Sequence, residues 1–191
     1  MQHLKIKKDQ TRRRILDAAA HRFREDGIDG SGIAAIMSDA GLTNGAFYGH
    51  FESKEELVRE AMVSEKKEQI AEWKAVQADE GFEAALRNYL SPAHRDNVSL
   101  GCSCAALLSE IARQPLETRA AYSDLLKESI STISNHIAPE DPKSRRANAM
   151  AVVAIIVGAL QMSRVMTDDR LSLTILESAV KAALVLGKND L

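Results

Sequence analysis

Apolar residues in this chain recur at helical spacing from end to end. Nowhere do they alternate with period two over a useful length. A strand needs every second residue on one face, so the pattern points to packed helices rather than sheets. The composition agrees. Aromatics are only 4% of the 191 residues, and Ala, Leu, Ile, Glu and Lys are prominent. Apolar residues at 45% and charged residues at 27% suit a globular protein with a real core.

The spacing predicts about nine helices. The first runs from about Asp9 to Asp26, with Ile15, Leu16, Ala19 and Phe23 on one face and Gly27 as its stop. A short second helix, N-capped by Ser31, turns Ile33, Ile36, Met37 and Ala40 inward and ends at Gly41. Leu42 and Thr43 make a turn, and a very short helix spans Asn44 to His50. Ser53 and Glu56 read as a capping box, opening a long helix with Leu57, Val58, Ala61 and Met62 that continues toward Trp73. Gly81 marks a break. A helix from Phe82 to Leu90 follows, then a loop with Pro92, then a buried helix from Cys102 to Arg113. Pro115 opens the next helix, with Leu126, Ile130, Ile133 and Ile137 on one face. After a loop at Pro139 and Pro142, a helix spans Ser144 to Val165. Asp168 or Asp169 caps the last helix, which Gly187 ends. The longest apolar run, Met150 to Leu160, falls short of the ~18 residues of a membrane span, so no membrane contact is expected.

Charge is unevenly distributed. The first fourteen residues hold Lys5, Lys7, Lys8, Arg12, Arg13 and Arg14 against Asp9 alone, which is +5. The overall −2 leaves −7 for the remainder. Such asymmetry suggests an anion-binding N-terminus on an acidic body. The two cysteines, Cys102 and Cys104, stand too close in sequence for a ready disulfide, which fits a reduced, cytoplasmic setting. No metal site, cofactor motif or enzyme signature is evident: no phosphate-binding Gly-rich loop, no zinc-protease pair and no nucleophile elbow.

The stretch from Ser31 to Lys54 carries the functional signal. Two helices too short to stand alone meet across a turn whose Gly41 permits a left-handed backbone. Asn44, Gly45, Ala46 and Gly49 give the second one a small, polar surface that can approach base edges, while Phe47 and Phe51 point inward. Asn44 can pair with adenine, and the Ala46 methyl with a thymine methyl. Tyr48, His50 and Lys54 are placed for phosphates.

The run Asp39-Ala40-Gly41-Leu42-Thr43-Asn44-Gly45-Ala46-Phe47-Tyr48-Gly49-His50-Phe51-Glu52-Ser53-Lys54-Glu55-Glu56-Leu57 resembles the TetR family signature, with Ala-Gly at the turn, a Tyr-x-x-Phe pair and Ser-Lys-x-x-Leu opening the next helix. The match covers roughly residues 9 to 62. The resemblance implies an all-α fold: a DNA-binding helix-turn-helix domain at 1–54 and a ligand-binding and dimerisation domain at 55–191. It implies a homodimer that binds a palindromic operator in double-stranded DNA and is released by a small-molecule effector. It thus implies a repressor and not an enzyme. Carried over by position, the DNA contacts are Thr43, Asn44, Gly45, Ala46, Tyr48, His50 and Lys54, supported by Ser31 and by Arg12, Arg13 and Arg14. Gly32, Ala34 and Ala35 stand where relatives usually carry polar residues, which lays weight on Ser31 and the basic arm.

For the effector pocket the candidates are Met62, Trp73, Tyr89, Cys102 and Met162. For the dimer seam they are Ile155, Ile156, Ile175, Leu176 and Val180 on the last two helices. Two other readings stand beside the repressor. One is a helical small-molecule-binding protein whose N-terminal unit no longer binds DNA. The other is a thiol-based redox or electrophile sensor using Cys102, whose place at a helix start favours the thiolate.

Overall fold

A computed structural model describes residues 2–138 and 140–188. Among the described residues there is no strand. There are nine α-helices and one short 3-10 helix: α1 (Gln2–Asp26), α2 (Ile33–Asp39), the 3-10 helix (Asn44–Gly49), α3 (Lys54–Glu80), α4 (Phe82–Tyr89), α5 (Pro92–Asp96), α6 (Ser103–Ile111), α7 (Leu116–Ser134), α8 (Pro142–Val165) and α9 (Asp169–Lys188).

Helix α1 begins well before Asp9, so the expected basic arm is the first turns of a helix. Its buried residues Ile15, Ala19 and Phe23 lie on one face, as their spacing required. Gly27 ends it at φ +80°. Helix α2 is not capped by Ser31. Gly32 holds the N-cap position, and the buried Ser31 hydroxyl donates 2.6 Å back to the Gly27 carbonyl. Local hydrogen bonding to the preceding turn has won over capping here.

Pro92 opens a short helix, α5, where a loop was expected. Ser91 accepts from the His94 N–H at its start. Helix α7 ends at Ser134, so Ile137 belongs to the following turn. Gly187 does not end α9 but lies inside its last turn. Its buried Cα faces the Phe82 ring, and a Cβ there would stand 3.0 Å from it. The glycine answers a close packing contact, which no local pattern announces.

Helices α8 and α9, joined by three residues, form the most extensive helix pair. By length and composition alone α8 would suffice to cross a bilayer. In the fold its Val152, Ile156 and Leu160 are buried. One continuous apolar core runs from Phe23 and Phe47 at one end to Leu160 and Val180 at the other.

Candidate functional site

The helix-turn-helix is built by local chemistry. After α2 the Gly41 N–H reaches the Ser38 carbonyl at 2.9 Å and the Leu42 N–H reaches the Met37 carbonyl at 2.8 Å. This is a Schellman motif with glycine at its left-handed position, φ +67°. The turn delivers the 3-10 helix, which is pinned from below. Phe47 and Phe51 are fully buried and stacked, with centroids 5.7 Å apart. At the far end Ser53 accepts from the Glu56 N–H, while the Glu56 carboxylate accepts from the Glu52 N–H rather than from that of Ser53 itself.

What this leaves outward is small and polar. Thr43, Asn44, Gly45, Tyr48 and Gly49 are exposed, Tyr48 at 73%. Thr43 spends no side-chain bond on capping. A Cβ added at Gly45 or Gly49 would meet nothing within 4 Å, so the backbone itself is the surface. Ala46, His50 and Lys54 are half-buried at the edge. Burial, with Lys8 and Arg12 nearby, lowers the His50 pKa.

The three arginines of the supposed arm are committed within the chain. Arg12 pairs with Glu56 and Glu60 on α3 and lies 4.3 Å over the Phe51 ring. Arg13 pairs with Asp17 and Glu68, and Arg14 donates to the Ala40 carbonyl. They brace the head, though Arg13 and Arg14 remain exposed, as Lys7 and Lys8 are. Ser31, fully buried, offers nothing to DNA.

Behind the head lies a cavity of about 270 Å3 among α3, α4, α5, α6, α7 and α8. Trp73, Tyr89 and Cys102 line it, as expected. Met62 does not, being core at 0% exposure, and Met162 stands outside, 56% exposed. Sequence reasoning missed Lys66, Gln69, His94 and Cys104. A signal for the first two existed: they continue, at spacings of three and four, the buried stripe of Val58 and Met62, where a polar residue is out of place.

Two links join cavity and head. Gln69 donates to the Gly101 carbonyl at 2.8 Å and also to Glu65. Glu65 stands 3.2 Å from Arg24 of α1, an ion pair whose angle closes no hydrogen bond to that nitrogen. Arg24 also donates 2.7 Å to the Ser99 carbonyl. Burial outweighs Arg24 and pushes Glu65 up to about 7. The second link is α6. Its Cys104 faces the cavity, and Glu110 near its other end accepts the Ile28 N–H at 2.7 Å, beside Gly27.

Of the expected seam residues, Ile156, Leu176 and Val180 are 4%, 3% and 2% exposed and pack inside this chain. Ile155 and Ile175 are half-buried. The outward residues lie a quarter-turn away: Met150, Ala154 and Met162 on α8, with Gly158 open between them, and Thr174, Ser178, Ala182 and Val185 on α9.

Residues 15–61 match the family model for bacterial regulatory proteins of the tetR family. A TetR-family regulator from Chloroflexus aurantiacus J-10-fl superposes with a TM-score of 0.77 at 25% identity, over 96% of this chain and 98% of that one. The helix-turn-helix of this chain is thus similar to that of the tetR family, and its whole fold is similar to that of a TetR-family regulator. The HTH-type transcriptional regulator AcrR of Shigella flexneri is 39% identical over 51 residues, which are 27% of this chain and 24% of that protein. The likeness to that curated relative thus spans about a quarter of its length. AibR, solved with isovaleryl coenzyme A and operator DNA, shares the fold at a TM-score of 0.64 and 19% identity, over 89% of this chain and 96% of that one. This chain has the helix-turn-helix and places its cavity on α3, the helix that leaves the head.

Proposed function

We propose that this chain is a transcriptional regulator that binds a palindromic operator as a homodimer and releases it when a small molecule enters the cavity. The observation that carries the reading is a single helix with two ends. Helix α3 starts at Lys54, against the exposed turn, and 27 residues later it has supplied Lys66, Gln69, Ile70 and Trp73 to the cavity wall. At 1.5 Å per residue it is about 40 Å long. Anything that shifts its middle turns the head.

The acyl-CoA and operator complex of AibR supports an effector-and-DNA role for this fold. A 270 Å3 cavity is too small to enclose a whole coenzyme A, so the effector is a smaller, mostly apolar molecule. Repression is the simplest outcome for a head that occupies DNA only while the cavity is empty. The outward face of α8 and α9 favours a two-fold bundle with a second copy. It is lined by Met150, Ala154, Gly158 and Met162, and small residues there allow close approach.

The test is selection of bound duplexes from random DNA by the full chain. A palindrome should emerge, with affinity falling steeply in salt, at a slope of about −0.9 per phosphate contact. Recovery of no preferred sequence sinks the reading. Gly158→Arg should give a folded monomer by light scattering, and an unchanged dimer would move the seam elsewhere.

A further inference from the structure

Lys66 of α3 is 7% exposed and stands on the cavity wall. Among the described residues no carboxylate lies within ion-pair distance of it. Its chain neighbour Glu65 is engaged with Arg24 at 3.2 Å. Glu72, the acidic residue of the same wall, is exposed. What the chain itself offers Lys66 is the Cys104 sulfur, a weak acceptor. A buried ammonium without an anion carries a heavy desolvation cost, so a site of this kind is completed by a negative charge from outside.

Two further groups of the wall ask for the same partner. Trp73 Nε1 and Tyr89 Oη are buried and close no hydrogen bond. Each has a hydrogen to donate, and an ammonium, an N–H and an O–H together match the several lone pairs of a carboxylate. Gln69 Oε1 is unpartnered too, an acceptor that a carboxylate does not serve. The other polar groups are spent. Gln69 donates to Glu65 and to the Gly101 carbonyl. His94 Nε2 accepts the Cys102 N–H at 2.9 Å, and its Nδ1 stands 2.6 Å from the Tyr89 carbonyl oxygen. Those two partners fix a neutral ring, protonated at Nδ1. Lys66 is therefore the one cation on the described wall, enough for one carboxylate. The remainder is apolar, with Ile70, Ile133 and Val157. The Trp73, Tyr89 and His94 rings meet edge to face, at 5.9 and 4.8 Å between centroids.

We infer that the cavity takes a small apolar monocarboxylate, its carboxylate held by Lys66, with Trp73 and Tyr89 donating to its oxygens and its body among Ile70, Ile133 and Val157. The buried cation sets the class. A neutral molecule of the same shape leaves Lys66 uncompensated, and a dicarboxylate brings a second charge with no cation to meet it. The ligand's charge arrives one residue from Glu65, whose pair with Arg24 ties α3 to α1. The role of this anion as effector rests on the regulator reading above, whereas its binding does not.

Trp73 is the single tryptophan of the chain, so its emission reads this cavity directly. Benzoate and hexanoate are titrated into the folded full chain without DNA. At least one acid should change the emission saturably, at one site per chain, and raise the melting temperature. Its amide, benzamide or hexanamide, has the same shape without the charge and should bind at least about tenfold more weakly. Lys66→Met should weaken the acid by at least about tenfold and leave the amide no weaker, a split that a merely structural role would not produce. Tyr89→Phe should weaken the acid by about tenfold. The acid and amide comparison in the wild type decides the matter even if Lys66→Met fails to fold. No emission change with either acid, amides that bind as tightly as acids, or an unaltered acid affinity in folded Lys66→Met overturns the proposal. Because emission reads binding without DNA, the site can fail while operator selection succeeds, and the reverse.

Discussion

The two ends of this chain are finished to different degrees. In the head, turns, caps and ion pairs are closed: Gly41 completes its Schellman turn, Ser53 is bonded at its cap, and Arg12 and Arg22 each bridge two acids. Among the described residues its buried polar atoms without a hydrogen-bond partner are His50 Nδ1 and, where α1 meets the body, Arg24 Nη1. Around the cavity, Gln69, Trp73 and Tyr89 all keep such atoms, beside a buried Glu65, Lys66 and Cys102. Unpartnered buried polar groups cost stability, so a region that gathers them is shaped for something it receives. A reading head must be rigid before it meets DNA, whereas a sensing body must be completed by its effector.

The largest effect should come from breaking the head. Phe47→Ala, at a side chain with 0% exposure, should cost about 3–5 kcal/mol in chemical denaturation. It should abolish sequence-selective DNA binding.

Next is the link between them. The folded pKa of Glu65, about 7, lies above its ordinary 4.5. Its stabilising contribution is therefore full below pH 4.5 and lost as pH rises through 7. Comparing Glu65→Gln with wild type isolates this carboxyl from the thiols. The wild type should lose on the order of 2 kcal/mol relative to the variant between pH 4.5 and 8. Parallel stability curves for the two would place Glu65 in contact with water.

The smallest effect should come from the cavity wall. Trp73→Phe removes an unbonded N–H and only part of a ring, so denaturation should shift by less than about 1 kcal/mol. A larger loss would mean that the Trp73 N–H has a partner in solution, and would weaken the contrast between the regions.

The head was legible because its determinants are neighbours in sequence. Gly41, the Phe47–Phe51 pair and the Ser53–Glu56 cap act within a few residues, and their spacing forecast the turn and the exposed set from Thr43 to Tyr48. The bracing role of Arg12 and Arg13 was not legible, because their acids lie on α3, more than forty residues away. The cavity was half legible. Aromatic and thiol residues drew attention, but Lys66 and Gln69 passed as ordinary polar residues of a long helix.

Periodicity alone determined that this chain is helical, and local capping determined where its reading head begins and ends. Those are consequences of backbone geometry acting over one or two turns. Only the tertiary structure decided which face of each helix is inside. Leu176 and Val180 pack against their own chain, and the open Gly158 faces out. Only the fold brings Lys66 of α3 to Cys102 at the start of α6. An apolar stripe says that a face will be buried, but the partner that covers it is chosen by the packing of distant segments.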